Sequence, residues 1–371
     1  MIEGIRTYGL ALLKGRADLA GAAVFGMAAY GAAGSGREIW PYLDWRLLSL
    51  LFCLMIVTGG LRQCGLLERL CFLFLRRCAS AREISLFFTM AAFFSSMVIT
   101  NDAALLVFVP ETILLLYRSG KCGWIAPAVV WETMAANLGS MLFPMGNPQN
   151  LFLYFHYHME FLSFLGITLP YTAAAFFLLL AAAWCRRDEP ARAALEKRPV
   201  QRKEGTFLAV LFLVIVLAVL RLIPWEGALL LTILAVWRRP ALLAGADSHL
   251  LLLFAFLFIG VGNLQHVPLL SEGIRDFTAG HELAAAVLLS QVISNVPAAV
   301  LLAGYTENAR ALVVGTDIGG LGTLIASMAS LISFRLCSKV PGLAMGRYLL
   351  LFTGWNLAFL AALLGLALII E

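Results

Sequence analysis

The sequence predicts an all-α polytopic membrane protein made of two inverted-topology repeats, each with a re-entrant hairpin and a broken transmembrane helix. Three observations carry this expectation. Of 371 residues, 61% are AVILMFWYC and 13% are charged, about half the charge of a soluble domain; mean hydropathy is +0.88. Two apolar runs contain a polar break at their centre. The same short motif stands at both breaks. A span takes about 20 apolar residues, so the length accommodates about nine full spans plus two hairpins. This composition excludes a soluble enzyme, a disordered chain and a nucleic-acid binder. The partner it implies is the lipid bilayer.

Apolar runs fall near 18–34, 45–61, 84–118, 124–155, 161–185, 206–222, 226–237, 249–265, 283–306, 310–334 and 348–370. The first is read as a retained helix. Run 84–118 is interrupted by Thr100-Asn101-Asp102, and run 283–306 by Ser294-Asn295-Val296-Pro297. Both are read as hairpins, because non-helical backbone at membrane depth is tolerated only inside protein or beside a water-filled cavity. Seven cysteines without a CxxC indicate neither a disulfide framework nor a zinc site. His156 and His158 are expected in an interfacial belt.

Charge supports the two hairpins independently. With both counted as hairpins, the N-terminus, 62–82, 118–123, 186–205, 238–248 and 335–347 share one side and hold 22 of the 27 Lys and Arg. The other side has Arg37, Arg46, Arg221, Arg275 and Arg310. By the positive-inside rule the rich side is cytoplasmic. The expected location is a bacterial-type inner membrane, with a cytoplasmic N-terminus and an extracytoplasmic C-terminus.

Ser96-Met97-Val98-Ile99-Thr100-Asn101 recurs as Ser290-Gln291-Val292-Ile293-Ser294-Asn295. A second broken segment follows each hairpin. Asn137-Leu138-Gly139-Ser140 leads to Gly146-Asn147-Pro148-Gln149-Asn150, and Asp317-Ile318-Gly319-Gly320 leads to Ser327-Met328-Ala329-Ser330. Interrupted segments at matching positions of two inverted halves point to a transporter site. Residues 1–82 are therefore read as scaffold helices and an amphipathic helix of the first repeat, 83–160 as its transport elements, and 161–185 as its closing helix. Residues 186–205 form a solvated cytoplasmic linker, and 206–225 an extra helix. In the second repeat, 226–282 are scaffold helices, 283–340 transport elements and 341–371 the closing helix.

The breaks favour ions. Asn101 and Asn295 are expected N-caps, and Pro148 and Pro297 fit a first helical turn. Helix N-termini facing a cavity favour anions, while unwound carbonyls and side-chain oxygens suit Na⁺. The candidate substrate residues are Thr100, Asn101, Asn147, Pro148, Ser294, Asn295 and Ser327. The candidate coupling-ion residues are Asp102, Asn101, Asn295, Gly146, Asp317 and Glu132, since acids within a membrane are costly and functional by default. No catalytic residue, transition metal or organic cofactor is expected; Na⁺ is the candidate ion, at the hairpin tips.

The motifs Ile99-Thr100-Asn101-Asp102-Ala103-Ala104, Pro144-Met145-Gly146-Asn147-Pro148-Gln149-Asn150 and Ser290-Gln291-Val292-Ile293-Ser294-Asn295-Val296-Pro297 resemble the ion transporter superfamily. That superfamily includes divalent-anion/sodium symporters, citrate transporters, arsenite permeases and sodium/proton antiporters, and the chain is most similar to its short bacterial anion permeases. The resemblance implies a homodimer whose transport domain carries substrate by an elevator motion. Its symporters carry Ser-Asn-Thr at each hairpin tip; Asp102 and Val296 replace the third residue here. The expected function is secondary active transport of a small anion, organic or inorganic, coupled to Na⁺ or H⁺. The alternative is a cation/proton antiporter in which Asp102 binds Na⁺ and H⁺ in turn.

Overall fold

A computed structural model describes residues 17–34, 38–65, 75, 78–191 and 201–370. Of the described residues, 80% are helical and none is in a strand. The first half contains α1 (Ala17–Ala32), α2 (Trp45–Gln63), α3 (Ala81–Ile99), α4 (Asn101–Arg118), α5 (Cys122–Gly139), α6 (Pro148–His156) and α7 (Phe161–Trp184). The helix α8 (Arg202–Val219) follows. The second half contains α9 (Trp225–Arg238), α10 (Ser248–Leu264), α11 (Pro268–Thr278), α12 (Glu282–Ile293), α13 (Asn295–Ala303), α14 (Ala309–Gly319), α15 (Met328–Cys337) and α16 (Met345–Ile370). Of the segment 1–82, expected to hold scaffold helices and an amphipathic helix, residues 1–16, 35–37, 66–74 and 76–77 lie outside the described residues.

Local chemistry sets many helix starts. Asp44 Oδ1 accepts from Leu47 N at 2.9 Å and starts α2. Ser80 Oγ accepts from Glu83 N at 3.2 Å, and Glu83 reaches back to Ala79 N at 2.7 Å. This reciprocal arrangement starts α3. Asp247 accepts from His249 N and Leu250 N at α10, and Asn308 from Ala311 N at α14.

Among the described residues, four helices are long and apolar enough to cross a membrane: α2, α3, α7 and α16. The pair α10 and α11 makes a fifth candidate, bent by 103°. The helices cut short by breaks, α6 and α12 to α15, do not meet that length, and α4, α5 and α8 meet it but are too polar or charged, so this count is lower than the number of apolar runs.

The chain reverses at Thr100. Phe88 and Phe108 would stand about 30 Å apart on one straight helix, yet their rings are 6.4 Å apart. Thr100 has φ 71° and ψ 147°, a backbone region that is strained for any residue but glycine. Ser294 repeats it, with φ 76° and ψ 154°, and α12 packs against α13 beyond it.

Two apolar cores result, and the halves are interleaved between them. One core joins α3, α4, α5 and α7 to α15 and α16. The other joins α2, α8, α9 and α10 to α6, α12 and α13. Thus α15 of the second half packs on the first hairpin, and α6 of the first half packs on the second hairpin. The helix α14 contributes to both cores, through Val314 and Ile318 on one side and Leu312 and Val313 on the other.

The described part of the linker, 186–191, is strapped to the hairpin base rather than free in solvent. Ala81 N donates to Glu189 O at 2.9 Å, and Ala191 N to Ala79 O at 3.0 Å. Arg82 N donates to Asp188 Oδ1 at 3.2 Å. Glu189 takes Lys121 Nζ at 3.0 Å and Trp124 Nε1 at 3.2 Å. Arg186 donates to Gly123 O at 3.0 Å. A polar strip such as 186–191 reads as a loop from composition; only the fold supplies the α3 and α5 starts as partners.

The strap makes stability sensitive to acid. Slight burial opposes the Asp188 charge, but the Ser80 hydroxyl and the amides of Arg82 and Glu189 outweigh it and hold the carboxyl below its ordinary 3.8. The Lys121 ammonium holds Glu189 below its ordinary 4.5. Carboxyls depressed in the folded state contribute fully above those ordinary values, and lose the contribution as pH falls through their lower folded values. Thermal unfolding in detergent from pH 6 down to about pH 3 should therefore show a steeper fall in Tm for wild type than for Lys121→Met. Parallel curves would contradict the strap.

Candidate functional site

The breaks of both halves meet in one buried polar network. Asn101, the first residue of α4, donates through Nδ2 to Asn137 Oδ1 at 3.1 Å. Ser327, which precedes α15, donates through Oγ to the same Asn137 oxygen at 3.0 Å. Asn147, which precedes α6, donates through Nδ2 to Asp317 Oδ1 at 3.2 Å. Asp317 also takes Asn150 Nδ2 at 2.9 Å and Gln149 Nε2 at 3.5 Å. Ser140 joins the two parts: its hydroxyl donates to Asn137 O at 2.8 Å and lies 3.4 Å from Asn147 Nδ2. All of these side chains are buried, and none is cationic.

The pairing is reciprocal between the halves. Asn137 and Asp317 occupy matching positions in the two broken segments, as do Asn147 and Ser327. Each residue that precedes a second arm bonds to the end of the opposite half's first arm. The hairpins dock in matching fashion too. A Cβ on Gly139 would fall 2.0 Å from Phe93 O and 2.6 Å from Ser96 Oγ. A Cβ on Gly319 would fall 2.8 Å from Ser290 Oγ and 3.2 Å from Val287 Cα. Only glycine permits these approaches, and Ser96 and Ser290 are the first residues of the repeated motif. Gly146 is held likewise, with the Ser140 carbonyl 2.2 Å from where its Cβ would stand.

The expected capping roles are met in part. Asn147 caps α6, accepting from Asn150 N at 2.9 Å, with Pro148 in the first turn. Asn101 and Asn295 are not N-caps. They are the first helical residues, and the cap positions belong to Thr100 and Ser294, neither of which makes a side-chain cap bond. Their positive φ turns the chain sharply enough to displace the start by one residue. Asn101 Oδ1 instead accepts from Asp102 N at 2.9 Å. Asn295 N donates to Ala326 O at 3.0 Å, and Ser294 Oγ approaches the same oxygen at 3.3 Å. The second tip is thereby stitched to the loop before α15. The Ser327 cap position also lacks a side-chain bond. The α4, α13 and α15 starts consequently keep first-turn amides that no cap side chain satisfies.

The three candidate acids separate in space. Asp317 lies inside the network. Asp102 lies beside it, with Oδ1 buried and without a hydrogen-bond partner. Glu132 is fully buried, about one and a half turns before Asn137, in the neighbourhood of Thr112, Cys337 and Tyr348. His156 sits away from all three, with Nε2 3.1 Å from Ala303 O.

Sequence reasoning named both broken segments but did not select Asn137, Ser140, Gln149 and Asn150 as site residues. The available signal was position, since Asn137 is the counterpart of Asp317. It also missed Gln291, which holds the second break by donating to Gly319 O at 2.8 Å and Leu321 O at 2.9 Å while accepting from Thr323 N at 2.9 Å. This bracket has no counterpart in the first tip, where Met97 stands in place of Gln291.

These contacts order the cost of adding a methyl group. Gly139→Ala should destabilise by about 2–3 kcal/mol, since a backbone carbonyl must move, and Gly319→Ala by about 1–2 kcal/mol. Gly21→Ala, where nothing lies within 4 Å of the added atom, should be neutral or stabilising. Tm values of the three purified variants in one detergent test this order; equal shifts for all three would refute it.

Comparison with known proteins agrees with this architecture. The citrate transporter family matches residues 10–332. The chain is 30% identical over 318 residues to "Uncharacterized transporter MJ0456" of Methanocaldococcus jannaschii, covering 85% of this chain and 86% of that protein. It is 32% identical over 310 residues to "Inner membrane protein YbiR" of Escherichia coli, covering 81% and 82%. It is 30% identical over 158 residues to the silicon efflux transporter LSI3 of Oryza sativa, covering 42% and 32%. With a family match that spans most of its length, and a fold of apolar helices broken at a buried polar centre, this chain is a membrane transporter and belongs to the citrate transporter family.

Proposed function

We propose that this chain is a secondary active carrier of a small anion, coupled to Na⁺ or H⁺. It moves its substrate by elevator-type alternating access between two inverted halves. The observation that carries the reading is the meeting of four helix starts, α4, α6, α13 and α15, around Asn137 and Asp317. Three of the four starts have no side-chain cap. First-turn amides left uncapped, together with the helix dipole, bind an anion without a cationic side chain.

Asp317 would repel such an anion if it stood alone. A cation or proton bound at Asp317, or at the neighbouring tip acid Asp102, offsets that repulsion and ties substrate movement to an ion gradient. Thr100, Asn101, Asn147, Pro148, Ser294, Asn295 and Ser327 line the substrate path in this reading, and Gly146 supplies close backbone approach. The reciprocal bonds between the halves support an inverted pair of repeats. Their interleaved cores support a moving unit that contains both hairpins. A homodimer at an inner membrane, N-terminus inside, completes the proposal. The name of the rice relative places silicate among the solutes worth trying.

A second reading, a cation/proton antiporter, is favoured by one observation: the network holds a carboxylate and no cationic side chain. One experiment separates the two. Charge movement would be recorded from proteoliposomes on a solid-supported membrane, with jumps of citrate, succinate, sulfate, phosphate, arsenite and silicate at fixed Na⁺ and pH. Na⁺ and pH would then be jumped alone. The carrier reading expects a current that requires one anion and falls at least about tenfold, the loss of roughly 1.4 kcal/mol of binding, in Asn137→Ala and Asp317→Asn. Currents from Na⁺ or pH jumps alone, abolished by Asp102→Asn, would replace it with the antiporter.

A further inference from the structure

Resting on the carrier reading, we infer that Glu132 is a proton site, set in a closed pocket of its own apart from the substrate network. Glu132 is 0% exposed, and neither carboxyl oxygen has a hydrogen-bond partner. Thr112 of α4 lies beside it without a hydrogen bond between them, and Cys337 of α15 and Tyr348 of α16 face it. Of these, Thr112 acts on the Glu132 carboxyl, and the carboxyl acts on Cys337 and Tyr348; no charged side chain among the described residues of α3, α7 or α14 acts on it.

Comparison of the halves shows that packing does not require an acid there. Five residues before Asn137 stands Glu132; five residues before the matching Asp317 stands Leu312, also 0% exposed. Next to Glu132, Thr133 donates to Ser333 Oγ at 2.7 Å. The matching positions in the other half are Val313 and Leu153, both fully buried in an apolar core. One helix contact is thus polar in one half and apolar in the other. A carboxyl retained at a site that leucine fills elsewhere serves chemistry rather than packing.

The ligand class follows from the surroundings. An alkali cation needs several oxygens converging on it, whereas the Glu132 carboxyl has the Thr112 hydroxyl and the Tyr348 phenol beside it and a well-formed hydrogen bond to neither. A proton needs only the carboxyl. The neutral acid suits the closed pocket, and the charged form requires water. Protonation therefore favours the packed arrangement of α4, α5, α15 and α16. Release requires that arrangement to open, which links a proton to the conformational cycle without contact with the substrate.

The test uses the full chain in liposomes. A pH step would be applied and infrared difference spectra recorded, with no anion needed. Wild type should show a protonated-carboxyl C=O band at neutral pH that loses intensity in Glu132→Gln and Glu132→Leu. Glu132→Leu, which copies the other half, should keep a Tm at or above that of wild type. A band unchanged in both variants, or a lower Tm for Glu132→Leu, would overturn the inference. If wild type carries an anion, Glu132→Gln should lose the response to a pH gradient while anion counterflow without a gradient persists. An absent anion current in wild type would defeat the carrier reading, whereas the infrared band judges Glu132 independently.

Discussion

The contact between Asn137 and Ser327 on one side, and between Asp317 and Asn147 on the other, is the constraint on which the rest of this structure depends. A helix that stops at membrane depth leaves amides and carbonyls that lipid cannot satisfy. Here the residues at those ends bond to one another across the halves through their side chains. Each break is closed in part by its own half, through Asn147 and Asn150 in the first and Gln291 in the second, and the two are joined across the centre; the two apolar cores each contain helices from both halves. The glycines at 139 and 319 allow this by letting each hairpin approach a helix end at backbone distance.

Strain enters at the same place. Thr100 and Ser294 hold positive φ in non-glycine residues, at a cost of about 1–3 kcal/mol each. Such backbone persists where surrounding contacts over-determine it. The Asn295 amide bond to Ala326 and the Asn101 bond to Asn137 supply those contacts. A tip held by a few polar bonds is stable in one packing and free to adopt another once those bonds are exchanged for a bound ion or solute. That property suits a transporter, in which the site must be ordered when occupied and must also move.

The two halves match in geometry and differ in charge. Asn137 corresponds to Asp317, and Glu132 to Leu312. The second tip repeats the φ and ψ of the first, while the acids are placed unequally. A buried carboxyl without a partner costs stability, and its counterpart shows that an apolar residue fills the same position. At position 132, then, folding alone does not require the acid.

Much of this was legible in composition and order. Apolar runs, polar breaks and the uneven distribution of Lys and Arg require only transfer energies and counting. Thr100-Asn101 and Ser294-Asn295 were identifiable as tips because polar residues at the centre of an apolar run are costly in lipid unless the chain breaks there and turns inside protein. The cap positions were displaced by one residue, because left-handed backbone at Thr100 and Ser294 is not encoded by residue type as it is for glycine. The strap at 186–191 and the bracket at Gln291 were illegible, since their partners lie far away in the chain. By itself, then, the sequence determined that this is a membrane protein with two broken halves, through the cost of polar groups in lipid. Only the tertiary structure decided that the breaks close across the halves, that Asp317 joins the network and that Glu132 lies outside it. Those outcomes depend on which helix ends meet in space, and spacing along one chain does not specify that.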